Sequence, residues 1–276
     1  MLLQERRQAR KERRITDLSA IKRFREYPDI PHRFDLDVHS QQVSMLSRDL
    51  GQYLASKGVA VDLQKVAEQG YYHDDPEVIT GDIPKSKKMN MSKDEKRNLQ
   101  KAEDRANRKL AKRYFGFLPT TEKRRYKEYY RETSQKVTVE ARIVNITDKI
   151  IGLSETIHNM RCGADYLAPV LENYRTIFQL LHEEEALMKY LTQAPYNLDM
   201  KVIPTAEKAR TFSKVKPRTS ESSRQSEQDF WDGVFDNSLP EFFRHWMGIS
   251  LQLGKSQLFP GWKEKNPKPF AVTVFP

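Results

Sequence analysis

Residues 71–84 constrain the fold of this 276-residue chain more than any other stretch. They follow an amphipathic segment that favours a helix, and they place His73 and Asp74 at the end of that helix. Pro76 disfavours a helical Asp75 but suits the first turn of a new helix, which Asp75 would then cap. An adjacent imidazole and carboxylate form a mixed nitrogen and oxygen pair that suits a divalent cation. The stretch therefore predicts an active-site segment at a break between two helices.

Two ligands do not hold a metal ion, so the chain must supply about two more from elsewhere. His39 comes earlier in the sequence, near the start of a second amphipathic segment. Asp148 comes later, in a segment whose isoleucines fall on one helical face. A carboxylate buried in such a helix is costly unless it is paired or bound to a cation, and that cost supports Asp148 as a ligand.

The ordered set of His39, the pair His73-Asp74, and Asp148 resembles the HD phosphohydrolase superfamily. The run that continues from His73 as Asp-Asp-Pro-Glu-Val-Ile-Thr-Gly-Asp-Ile-Pro resembles the signature of the bacterial HD-domain 5'-deoxynucleotidases. The resemblance implies an all-α HD-domain helical bundle and an enzyme that removes the 5'-phosphate from (deoxy)nucleoside monophosphates. One divalent ion would be held by these four side chains, whose donor atoms accommodate Mn, Co, Fe, Ni, Zn or Mg.

The same resemblance implies roles for residues around the metal ligands. Arg23 would bind the substrate phosphate, to which a guanidinium offers a rigid fork of donors, and Phe24 would lie against the sugar where relatives carry Trp. Asp82 would face the deoxyribose hydroxyl. Glu77 would act as general acid towards the leaving 5'-oxygen, with Asp74 as its catalytic partner. Without the resemblance, Glu77 is an ordinary acid at a helix start and Asp82 an ordinary turn residue.

Composition indicates a basic protein with phosphorylated partners. The formal net charge of +10 and the isoelectric point near 9.5 favour nucleotides, RNA or DNA without choosing among them. A mean hydropathy of -0.78 leaves no apolar run of the roughly 20 residues that a membrane-spanning helix needs. Residues 1–14 are charged and no apolar segment of a secretory signal follows them. We therefore expect a cytoplasmic protein with no membrane contact.

The sequence predicts four consecutive segments. Residues 1–14 form a basic N-terminal arm, and residues 15–196 form the HD phosphohydrolase domain, whose first core helix covers 15–24. Residues 197–229 are rich in Lys, Arg, Ser, Thr and Glu and are typical of a flexible linker. Residues 230–276 form an aromatic C-terminal extension to which the sequence assigns no role.

Two other functions remain open at this point. The same metal site could hydrolyse a (deoxy)nucleoside triphosphate. Alternatively, the helical core could be a scaffold whose basic segments, including the tyrosine-containing run 122–133, bind nucleic acid. The binding function leaves the ordered metal ligands unexplained, so we rank it last. Relatives tend to be dimers, and we expect a homodimer by that analogy alone.

Overall fold

The computed structural model describes residues 2–27, 29–31, 33–116, 118–161, 163–182, 185–193 and 203–210. In these ranges the chain forms helices and no strand, as the all-α prediction requires. The α-helices are α1 Leu2–Ser19, α2 Leu36–Ser56, α3 Leu63–Tyr72, α4 Glu77–Thr80, α5 Lys85–Asn90, α6 Lys93–Phe115, α7 Thr120–Gln135, α8 Val139–Arg161, α9 Ala168–His182, α10 Glu185–Leu191 and α11 Ala206–Arg210. A 3-10 helix covers Asp165–Leu167. No helix in the described ranges is long and apolar enough to cross a membrane.

The described residues group into two compact units. The first unit contains those of Met1–Glu26, Phe34–Gln52 and Ala60–Asn145. The second unit contains those of Tyr27–Arg33, Tyr53–Val59 and Ile146–Pro276. Helices α2 and α8 each contribute residues to both units.

The first unit has a leucine core and an aromatic cluster. Leu18, Leu46 and Leu110 are fully buried, as the helical spacing of apolar residues in α1, α2 and α6 requires. The ring of Phe115 lies 4.5 Å from that of Tyr126 and 5.6 Å from that of Tyr72, measured between centroids. These contacts join the ends of α3 and α6 to α7, beside the His-Asp pair that follows α3.

Helix α1 differs from the predicted helix 15–24 at both ends. It begins at Leu2, so the predicted basic arm forms its first turns, and it ends at Ser19. Arg23 and Phe24 therefore lie outside it, and their assignment to a helix was wrong. The N–H of Arg23 donates instead to the carbonyl of Phe34 at 3.1 Å, and Phe24 has a φ of 54°. Backbone pairing with the segment before α2 has replaced the helical hydrogen bonds.

In the second unit, α8 and α9 approach closely at a glycine. A Cβ atom on Gly152 would lie 1.9 Å from the hydroxyl oxygen of Tyr174. The described part of the predicted linker, residues 203–210, packs on α9: Arg175 Nη1 donates to the carbonyl of Ile203 at 2.6 Å. The rest of the predicted linker and the extension 230–276 lie outside the described residues.

Candidate metal centre

A glycine sets the distance between the two helices that carry the histidines. A Cβ atom on Gly70 in α3 would lie 2.9 Å from Cα of Ser44 in α2, closer than real Cβ atoms approach. Ser44 Oγ also donates to the carbonyl of Ala67 at 2.8 Å, which ties the helices together. The close approach brings His73, just after α3, beside His39 near the start of α2, with ring centroids 5.4 Å apart.

Three of the four predicted metal ligands converge in the first unit. Nε2 of His39 lies 3.3 Å from Oδ2 of Asp74, and Nε2 of His73 lies 3.1 Å from the same oxygen. One ligand atom from each residue lies within 4.8 Å of the other two. The donors are two imidazole nitrogens and one carboxylate oxygen, a set that suits a borderline divalent cation.

The hydrogen bond of His73 supports a role as a metal ligand. Nδ1 of His73 lies 2.7 Å from the carbonyl oxygen of Gly70. A carbonyl only accepts, so Nδ1 carries the hydrogen and leaves Nε2 as the nitrogen that faces Asp74. In a neutral imidazole Nε2 carries a lone pair, which here faces the carboxylate of Asp74. The arrangement is repulsive unless a proton or a cation lies between them, and a divalent ion fits.

The charges of this cluster favour an ionised Asp74. Burial penalises its carboxylate, but when protons rather than a metal ion lie between these groups, the charge and hydrogen bonds of His73 and His39 outweigh that penalty and hold the Asp74 pKa well below its ordinary value. Asp74 is therefore a carboxylate throughout the neutral range. A carboxylate with no proton to displace is ready to coordinate a cation.

The fourth predicted ligand, Asp148, belongs to the second unit. It lies on α8, where its carboxylate accepts a hydrogen bond from Lys149. We expected a buried carboxylate, but the Asp148 side chain is 22% exposed. The neighbouring ammonium and partial contact with solvent lower the cost of its charge. The burial argument for Asp148 was therefore wrong, and its assignment rests on the resemblance.

Glu77 is a buried carboxyl group one short turn after Asp74. Its N–H donates to the carbonyl of Asp74 at 2.9 Å, which begins α4. Burial raises the Glu77 pKa well above its ordinary value, and the negative charges of Asp74 and Asp82 raise it further, against the opposing charges of Lys88 and Arg23. Glu77 therefore binds a proton more readily than Asp74 does. Such a pair can divide the roles of acid and ligand.

The three predicted substrate-binding residues all lie in the first unit. Arg23 is buried, and its charge acts on Glu77. Its guanidinium carbon lies 5.7 Å from the ring centroid of Phe24, within the range of a cation–π contact. Asp82 is half-buried after α4 and also acts electrostatically on Glu77. The structure therefore brings Arg23 and Asp82 into the electrostatic surroundings of the same carboxyl group.

Asp75 does not cap the new turn as predicted, because Arg14 binds its carboxylate. Nη2 of Arg14 lies 2.6 Å from Oδ1, and the hydroxyl of Tyr126 donates to Oδ2 at 3.0 Å. The N-cap of α4 is Pro76, with no side-chain hydrogen bond. The sequence contains no signal that separates Arg14 from the other arginines nearby, so this anchor of the His-Asp segment was missed.

Three solved structures are similar to the chain. An HD-domain phosphohydrolase from Listeria innocua superposes with a TM-score of 0.52 at 21% identity, over 68% of this chain and 90% of that one. A conserved hypothetical protein from Pyrococcus furiosus matches at 25% identity and TM-score 0.45, over 64% and 96% of the two chains. The PH0347 protein from Pyrococcus horikoshii matches at 22% identity and a TM-score of 0.47, over 66% of this chain and 92% of that one. The Listeria structure confirms the predicted HD-domain fold.

The helical fold places the chain in the class of HD-domain folds, and its two-histidine, one-aspartate cluster is a candidate metal site. Within that class, residues 13–193 match the model of the family described as 5'-deoxynucleotidase YfbR-like. The chain belongs to this family, which confirms the resemblance found in the sequence. Because it belongs to this family, the chain is a hydrolase. No curated protein matches the chain.

Proposed function

We propose that this enzyme hydrolyses the 5'-phosphate monoester of (deoxy)nucleoside monophosphates with one divalent metal ion. The observation that carries the proposal is the convergence of His39 and His73 on Asp74, with the buried carboxyl of Glu77 directly after them. Membership of the 5'-deoxynucleotidase family supports the monophosphate substrate. Asp148 completes the ligand set of this proposal on the sequence pattern alone.

Each residue has a separate task in the proposed reaction. His39, His73, Asp74 and Asp148 would hold a divalent ion, which would supply a Lewis acid to the phosphate and lower the pKa of water at the site towards neutrality. Glu77 donates its proton to the leaving 5'-oxygen, a task that its raised pKa supports. Arg23 binds the phosphate through its guanidinium. Phe24 lies against the sugar, and Asp82 accepts a hydrogen bond from the 3'-hydroxyl.

The test is phosphate release from deoxy- and ribonucleoside mono- and triphosphates with Mn, Co or Mg, against a chelated control. We expect metal-dependent inorganic phosphate from monophosphates, and loss of at least about 100-fold in kcat for His73→Ala that remains folded, the scale of losing one catalytic group. A folded His73→Ala with full activity contradicts the proposal. Hydrolysis of triphosphates alone would keep the metal site and move the substrate to the alternative.

Assembly is part of the same proposal. We expect a homodimer by analogy with relatives and a cytoplasmic location. Size-exclusion chromatography with light scattering measures the mass directly, and a monomer at working concentrations contradicts the expected dimer. Salt-sensitive polynucleotide binding that survives chelation would instead support the nucleic-acid partner.

A further inference from the structure

One lysine lies between two carboxylates next to the candidate metal centre. Nζ of Lys88, on α5, is 3.4 Å from Oε1 of Glu77 and 3.9 Å from Oε1 of Glu103. Glu103 belongs to α6, which packs against α4, the helix that Glu77 begins. A single ammonium group therefore links the carboxyl of the first turn of α4 to a fixed position on a long neighbouring helix.

Burial distinguishes this arrangement from an ordinary surface ion pair. The side chains of Lys88, Glu77 and Glu103 are 29%, 11% and 20% exposed. Desolvation opposes the charge of Lys88, but Glu77 in its ionised form, Glu103 and Asp74 outweigh it and hold the Lys88 pKa above its ordinary value. The ammonium is thus a permanent charge at neutral pH. An exposed ion pair contributes little because solvent screens it, whereas these three side chains are largely shielded from solvent.

A positioned carboxyl is what the proposed general acid requires. Helix α4 is four residues long and has no side-chain cap, so its own backbone holds Glu77 weakly. Within the described residues, Lys88 contacts the Glu77 side chain through Oε1. Contact at one oxygen leaves Oε2 to face a substrate. A lysine that is itself held by Glu103 can therefore set the direction in which the acid points.

We propose that Lys88 is a positioning residue that orients the carboxyl of Glu77, and that Glu103 holds Lys88 for this purpose. The inference rests on the proposed function, because it concerns how Glu77 meets the leaving group. It makes a specific chemical claim. Lys88 matters when the leaving oxygen needs a proton, and it does not matter when the leaving group departs as a stable anion.

The test compares two phosphate monoesters in the presence of Mn. A deoxynucleoside 5'-phosphate has an alkoxide leaving group that requires protonation, whereas p-nitrophenyl phosphate releases a stabilised phenolate. For Lys88→Met we expect kcat on the nucleotide to fall by about 10- to 100-fold, part of the roughly 10²- to 10⁴-fold that general acid catalysis supplies. We expect KM on the nucleotide, and kcat on p-nitrophenyl phosphate, to change by less than about 3-fold, below the smallest effect of such catalysis.

Further variants separate positioning from loss of folding. Lys88→Arg should restore most of the nucleotide kcat, and Glu103→Gln should reduce it less than Lys88→Met does. Once Glu77→Gln has removed the acid, adding Lys88→Met should have no further effect. The exposed neighbour Lys87 provides the matched control, and Lys87→Met should behave as wild type. Far-UV circular dichroism and Mn binding should be unchanged in Lys88→Met. If Lys88→Met does not fold, Lys88→Arg and Glu103→Gln decide the inference on the same two substrates.

Three results would overturn the inference. Equal nucleotide kcat for Lys88→Met and Lys87→Met removes any role for Lys88. A rise in KM on both substrates with unchanged kcat makes Lys88 a phosphate-binding residue instead. Equal losses of kcat on the two substrates assign it a structural role. If the wild-type enzyme hydrolyses no phosphate ester, both the proposed function and this inference are wrong. If the wild-type enzyme is active and Lys88→Met is unaffected, only this inference is wrong.

Discussion

Replacing Arg14 with methionine should destabilise the first unit, because it leaves the carboxylate of Asp75 buried without its cation. The Arg14 side chain is 3% exposed and that of Asp75 is fully buried. Nε of Arg14 donates to Oδ1 at 2.9 Å, in addition to the Nη2 contact with the same oxygen. The guanidinium also lies 3.9 Å from the ring centroid of Tyr71. Methionine keeps most of the aliphatic volume, so the lost charge dominates the change.

The magnitude follows from the burial of both partners. Removing one member of a buried ion pair costs about 3–5 kcal/mol, since the remaining charge is uncompensated. The hydroxyl of Tyr126 still donates to Asp75, which places the expected loss near the lower limit, about 3 kcal/mol. The unfolding free energy of a native domain is about 5–15 kcal/mol, so the variant should still fold. It should unfold at a lower denaturant concentration than the wild type.

The loss should depend on pH in a defined direction. Burial raises the Asp75 pKa above its ordinary value even though Arg14 opposes the shift, and without Arg14 it rises further. A raised folded-state pKa adds stability below the unfolded pKa of about 3.9, and that stability is lost as pH rises through the folded value. Arg14→Met should therefore lose less unfolding free energy at pH 5 than at pH 8.

Urea unfolding followed by far-UV circular dichroism measures this difference at both pH values. The matched control is Arg13→Met, because Arg13 is exposed on the same helix and its loss should cost less than about 0.5 kcal/mol. Adding Asp75→Asn to Arg14→Met removes the stranded charge and should recover part of the loss at pH 8 only. Equal stability of the Arg13 and Arg14 variants, or a pH-independent loss that Asp75→Asn does not relieve, would refute this reasoning.

Two further predictions concern the site itself. The Cβ atom of Gly70→Ala would lie 2.9 Å from the backbone of Ser44 and would force α3 away from α2. The variant should therefore bind Mn at least about 10-fold more weakly, which is the scale of effect when the residues that support a metal ligand are disturbed. A Mn titration that gives the wild-type affinity contradicts this prediction. For Glu77, the raised pKa means that the protonated acid exists below the raised value and is lost as pH rises through it. The hydrolysis rate should therefore fall as the pH rises through the Glu77 pKa, and Glu77→Gln should not show this fall. If the same fall persists in Glu77→Gln, it belongs to another group.

Sequence alone predicted the site where its residues are contiguous or tied to a regular pattern. The His73-Asp74 pair follows a segment with helical periodicity, so its place at a helix end could be read directly. His39 was chosen by the resemblance to HD phosphohydrolases, and the amphipathic pattern predicted only its position near the start of a helix. Periodicity of this kind is a local property, and it also specifies the all-α class. The assignments of substrate-binding and catalytic roles stay predictions.

Contacts between distant segments could not be predicted. Helix α1 ends at Ser19, and the backbone of Arg23 pairs with Phe34, a partner that no local pattern indicates. Six basic residues precede Ile15, and charge alone does not single out the one that is buried against Asp75. Lys88 is likewise one of several lysines after the active-site segment. Its difference from the exposed Lys87 arises only when α5 packs beside Glu103.

These unpredicted contacts explain why the short His-Asp segment can be precise without being a regular helix. On one side, the carbonyl of Gly70 orients the ring of His73. On the other side, Asp75 is bound by Arg14 from α1 and by Tyr126 from α7. The predicted ligand Asp74 is therefore held between two residues that are themselves fixed by other helices. Because its neighbours supply the rigidity, Asp74 needs no structural partner beyond the two histidines, and its carboxylate is available to a metal ion.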